Sequence, residues 1–123
     1  MADKVGIIAG KLQGPIKGTA EQTWNVKDLN ATPYNFLATD FYIQDRYTLT
    51  AASVINLPSI ATVGDGFVVW VKDSGQNCSA NNITLVRNGA DTIELSATDL
   101  VFIADGIAIM LIANTTTSDW EIA

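Results

Sequence analysis

Gly64-Asp65-Gly66-Phe67-Val68-Val69-Trp70-Val71-Lys72-Asp73-Ser74-Gly75 is the stretch that decides the fold class. A glycine-flanked turn opens it, a run of β-branched and aromatic residues follows, and a second polar turn closes it. That is the pattern of a β-strand between turns. Side chains alternate along an extended backbone, so Phe67, Val69 and Val71 share one side of the strand and Val68 and Trp70 the other. Both sides are apolar, which predicts a strand covered on both faces.

Similar runs recur on either side. Phe41-Tyr42-Ile43 ends at Asp45-Arg46, and Ser53 to Leu57 is closed by Pro58, which cannot donate to a sheet ladder. Ile83 to Arg87 ends at Asn88-Gly89, a strong turn dipeptide. Thr92 to Leu95, Leu100 to Ala104, Ile107 to Ala113 and Trp120 to Ile122 read as further short strands. They arrive about every 10 residues, the spacing of a sandwich or barrel. No stretch keeps a helical period for three turns. The sequence therefore predicts an all-β, single-domain β-sandwich, jelly-roll-like, over residues 33–123, a size that suits one domain.

Residues 1–32 have a different texture. Gly6, Gly10, Gly14, Pro15 and Gly18 punctuate them, and four lysines against three acids make them mildly basic. Residues 33–123 hold three basic residues against ten acidic ones, which with the first segment gives the net −6. The first segment reads as an extended N-terminal arm with one or two short strands. The arm lies on a neighbouring subunit or partner, or else folds back on its own domain.

A two-layer sandwich buries one face of each sheet. The second apolar faces at Val68 and Trp70, and at Val101 and Ile103, must then meet the arm or another subunit, which points to a homo-oligomer. The competing arrangement is a barrel covered by its own N-terminal segment.

Composition closes off several functions. Seven Lys and Arg in a chain of pI about 4.2 provide no basic face for nucleic acid or an anionic membrane. There is no histidine, which removes the commonest general base and metal ligand and rules out Ser/His/Asp and Cys/His catalysis. One cysteine, Cys78, permits no internal disulfide and has no adjacent base to activate it. Asp91, Glu94 and Asp99 could supply a carboxylate pair, and Asp65, Asp91 or Asp105 a calcium site, but no spacing supports either, and solvated turns are the simpler reading. Trp24, Trp70 and Trp120 could form a sugar platform; core or interface is simpler for rings that bury so much area. The sequons at Asn30, Asn77, Asn82 and Asn114 are what a chain rich in Asn and Thr contains by chance. No enzyme and no cofactor is expected.

One ordered set of motifs adds to this. Ser53 to Pro58, Gly66 to Val71, Lys72-Asp73-Ser74-Gly75, Asn81-Asn82-Ile83-Thr84-Leu85, Gly89-Ala90-Asp91-Thr92-Ile93 and Trp120-Glu121-Ile122 together resemble a module of tailed-phage virion proteins. Similar modules occur in tail fibres, tail spikes and small head proteins. The resemblance covers about residues 36–123. It implies a scaffold and a virion setting, with no active site. Taken as a chain that starts at Met1 and has no shaft repeat, it looks most like a head decoration (cement) protein. The resemblance then implies synthesis in the host cytoplasm and a place on the phage head surface. The protein would be a homotrimer, or alternatively a dimer, bound to the major capsid protein. The arm residues Val5, Ile7, Ile8, Leu12, Ile16 and Trp24 would make the capsid or subunit contact. The alternative is a tail-fibre or spike tip that binds a host receptor or glycan.

Overall fold

The computed structural model describes the strands 6–8 and 11–13, Gln22, and residues 24–123. The expected β-sandwich is what it shows. β1 (Gly6–Ile8) and β2 (Lys11–Gln13) pair antiparallel as a two-stranded sheet of their own. The arm residues Val5 and Ile16, and the side chains of Ile7, Ile8 and Leu12, lie outside the described residues.

The body has two sheets. The larger one is ordered β3 (Val26–Leu29), β5 (Tyr42–Asp45), β7 (Val68–Asp73), β11 (Ala108–Asn114), β12 (Asp119–Ile122), β9 (Thr92–Ile93). The smaller is ordered β10 (Leu100–Phe102), β8 (Ile83–Val86), β6 (Ser53–Asn56), β4 (Tyr34–Asn35). From β3 to β8 the chain alternates between sheets. Each return lays a strand parallel to the previous one: β3, β5 and β7 in one sheet, β4, β6 and β8 in the other. A jelly roll is wound from antiparallel pairs; here the first three turns stack in parallel. Only then do β10, β11 and β12 add antiparallel neighbours, while β9 closes the far edge.

Alternation builds the core. Ile43, Val69, Val71, Leu111 and Trp120 point inward from the larger sheet, and Ile55, Ile83, Leu85 and Phe102 from the smaller. The connections add Phe36, Leu57, Phe67 and, from the helical turn α1 (Ile60–Val63), Ile60 and Val63. Phe67 meets Phe36 and Trp120 edge to face, at centroid distances of 6.1 and 6.4 Å. Burying each such side chain is worth about 2 kcal/mol.

Two turns differ from the sequence reading. In the polar turn after β7 the positive φ falls not on Gly75 but on Gln76, at 52°. Gly75 is required for space instead, since a Cβ there would collide with the Thr48 hydroxyl. The strand expected over 92–95 stops at Ile93. Glu94 and Leu95, both at positive φ, form a two-residue hairpin turn closed by paired bonds between Ile93 and Ser96.

The body also begins earlier than residue 33. β3 is an edge strand of the larger sheet, and Leu29 lies in the core. Upstream of it, the buried carboxamide of Gln22 does the work of a peptide group. Its Oε1 accepts from Val68 N at 2.9 Å, and its Nε2 donates to Val68 O at 2.6 Å and Asp40 O at 2.9 Å. Those groups lie where β5 has not yet begun to pair with β7. Gln22→Ala orphans all three and should cost ~3 kcal/mol in urea denaturation. Gln22→Glu, which sets an oxygen against two carbonyls, should cost at least as much.

Candidate functional site

The carboxylates that could have done chemistry are spent on the backbone. Asp91 Oδ2 accepts from Ile60 N at 2.9 Å, and Glu94 Oε2 from Ile122 N at 2.9 Å. Asp99 Oδ1 accepts from Arg87 N at 3.0 Å and lies 3.3 Å from Arg87 Nε. Asp65 accepts from Thr115 N and Asp105 from Ser79 N. Asp65, Asp91 and Asp105 thus tie three separate loops and do not converge on one ion.

A buried polar centre that sequence reading missed lies at the end of β7. Asp73, fully buried, receives Thr48 Oγ1 at 2.7 Å on Oδ1. On Oδ2 it receives Asn77 N and Cys78 N, each at 2.9 Å, and Gly106 N at 3.1 Å. Burial raises its pKa, but these donors outweigh burial and hold it below its ordinary value of 3.8. Asp45 sits opposite in the sheet register, also fully buried. It accepts from Tyr47 N at 2.9 Å and from the Ser53 hydroxyl. Burial first, and the charge of Asp73 after it, raise its pKa.

Cys78 and Asp105 come within 4.8 Å of Asp73, a grouping of metal-ligand types. The Cys78 thiol donates to Ala104 O at 2.9 Å, and burial followed by the nearby Asp73 pushes its pKa up to about 12. The thiol thus keeps its proton here, and the oxygens of Asp73 already accept four hydrogen bonds. The grouping acts as a hydrogen-bonded knot. A second such centre, also unread in the sequence, is Asp40, whose Oδ2 takes Tyr34 Oη at 2.6 Å and Leu37 N at 2.8 Å. Burial and that carboxylate raise the Tyr34 phenol well above its usual range.

The surface offers more than the interior. On the outer face of the larger sheet, Val26, Tyr42, Trp70 and Met110 stand in one register row across four strands. Val68 and Ile112 form the adjacent pair. Val26 is 61% exposed and Ile112 36%, while Val68, Trp70, Tyr42 and Met110 are half-buried. Trp24 packs edge-on against Phe41 at 5.3 Å, Phe41 against Trp70 at 6.0 Å, and Tyr42 lies 4.3 Å from Trp70. Trp24, read as an arm contact, and Val68 and Trp70, read as interface, thus share one aromatic surface.

Val101 and Ile103 do not join it. They sit at β10, the edge of the smaller sheet, 44% and 66% exposed. Val68 and Trp70 thus lie on the larger sheet, and Val101 and Ile103 on the smaller. Trp120 is core, with no exposure. An open cleft of about 320 Å³ borders the larger patch, lined by Asp65, Ile112, Glu121 and Ile122 among others. No helix among the described residues is long and apolar enough to cross a membrane. A scan of known protein families finds no match to the chain, and a search of characterised proteins finds no similar sequence.

Three measurements test the polar centre. Asp73→Asn turns an amide toward three N–H donors and should cost ~3 kcal/mol at neutral pH. The contribution of Asp73 is present above its ordinary pKa and lost as pH falls through its lowered one, so the gap from wild type should close in acid. Asp45 runs the other way, because a raised pKa stabilises at low pH and that stability fades as pH rises through it. Asp45→Asn should therefore leave stability rising more steeply with pH across the acidic range. Cys78 should be unreactive toward a disulfide reagent in the native state, with labelling that tracks global unfolding under denaturant.

Proposed function

We propose that this protein is a non-catalytic virion component: a decoration (cement) protein on the outer surface of a phage head, acting as a homo-oligomer. The observation that supports it most is the aromatic outer face of the larger sheet, contiguous with the point where the N-terminal segment enters the body. Exposed apolar surface rich in Trp, Tyr and Met is what protein interfaces use. In this reading the patch around Trp70 meets another copy, and residues 1–21 reach the major capsid protein or a neighbouring subunit. A closed homotrimer would match a lattice point, and two dissimilar patches suit a head-to-tail ring, in which one patch of each copy meets the other patch of the next.

The second reading, a tail-fibre tip for a receptor or glycan, is favoured by the same rings. Trp24 is 37% exposed and leads into Tyr42 and Trp70 through Phe41, an arrangement on which a sugar face could stack.

Co-sedimentation with decoration-free heads, beside host cells, separates the two. The cement reading expects saturable binding to heads, lost on deleting residues 1–20 with Gln22 kept so that the body stays pinned. Trp70→Glu should shift the oligomer toward monomer in analytical ultracentrifugation. Binding to cells alone would sink the cement reading.

A further inference from the structure

The turn joining β8 to β9 carries the chain's one Asn-Gly pair, Asn88-Gly89. Asn88 and Gly89 are both exposed, and Gly89 has φ +55° with open space where a side chain would stand. The turn closes through Asp91 N to Asn88 O at 3.0 Å, which leaves the Gly89 amide without a partner among the described residues. The Asn88 carboxamide is held only by a 3.4 Å contact from Nδ2 to Leu57 O, at the limit of a hydrogen bond.

Other asparagines are fixed more firmly. Asn25 donates to Thr39 O at 2.8 Å, Asn77 and Asn81 to Thr48 O at 2.9 and 2.7 Å, and Asn114 to Glu121 Oε2 at 2.7 Å. Each is followed by a residue with a side chain, and Asn88 is the one asparagine followed by glycine. A missing side chain at the next position removes the steric bar to attack by its nitrogen.

We propose that Asn88 is a site of spontaneous, self-catalysed modification by deamidation. The Gly89 amide nitrogen gives up its proton to solvent and bonds to Asn88 Cγ. The Cγ–Nδ2 bond breaks, nitrogen leaves as ammonia, and a five-membered succinimide remains. Water opens the ring at either carbonyl. One product is an ordinary aspartyl residue; the other is an isoaspartyl link whose main chain runs through Cβ and Cγ and is one methylene longer. No electrons are transferred, and water is the only co-reactant.

Both products take the net charge from −6 to −7, beside Asp91 and Asp99. The longer product strains a turn in which Arg87 Nη1 holds Asp91 O at 3.1 Å and Asp91 holds Ile60 N. The site is thus a built-in age mark at one end of the sandwich. It is independent of the virion reading.

The test incubates the purified protein at mildly alkaline pH and 37 °C, beside a short synthetic peptide spanning Arg87 to Asp91. Peptide mapping should show a gain of about 1 Da on the fragment containing Asn88 before any other asparagine changes. That fragment should split into two chromatographic isomers, and the intact protein should gain an acidic species. Gly89→Ala should slow conversion roughly tenfold or more. Asn88→Gln should abolish the acidic species while leaving circular dichroism unchanged. Retention of Asn88 in the folded protein while the peptide converts, or earlier conversion at another asparagine, overturns the proposal.

Discussion

Asp73 ends β7 in full burial, and its two oxygens gather donors from separate parts of the chain: the Thr48 side chain, the Asn77 and Cys78 amides, and the Gly106 amide. An ionised carboxylate is costly to bury unless each lone pair is met. Here they are met by backbone groups that would otherwise be orphaned in tight loops. The carboxylate therefore fixes where four segments sit relative to one another, including the loop that returns the chain to β8 and the turn that starts β11. Gly75 belongs to the same constraint, since the approach of Thr48 to Asp73 leaves no room for a side chain beside it.

With that end fastened, the parallel winding follows. Strands of one sheet lie parallel here because the strand between them, in the other sheet, carries the chain back to the starting end, and a loop at each end makes the crossing. Buried side-chain acceptors hold these loops: Asp45 for the segment after β5, Asp40 for the loop before it, Asp73 for the loop after β7. Gln22 performs the equivalent task where a strand is missing. Polar residues at the sandwich ends thus make the apolar layers between them possible.

The outer face of the larger sheet is the opposite case, an apolar surface with no comparable internal reason. Its row from Val26 through Tyr42 and Trp70 to Met110 adds little to the core, which faces the other way. Only 16% of the residues are charged, so little polar surface is available to cover it.

Sequence alone settled the all-β class, the positions of most body strands and the turn at Asn88-Gly89, because these follow from local alternation and turn chemistry within a few residues. It also marked Trp24, Val68 and Trp70 as surface-seeking. It could not place them on one patch and Val101 and Ile103 on another, since that depends on which sheet each strand joins. It missed β3 and β4, whose short polar runs become strands only by lying beside β5 and β6. It read Asp45, Asp73 and Gln22 as ordinary turn or arm residues. Asp73 gathers donors from Thr48 and Gly106, 25 and 33 positions away, and Gln22 meets Val68 46 positions away, and only the tertiary fold brings those together.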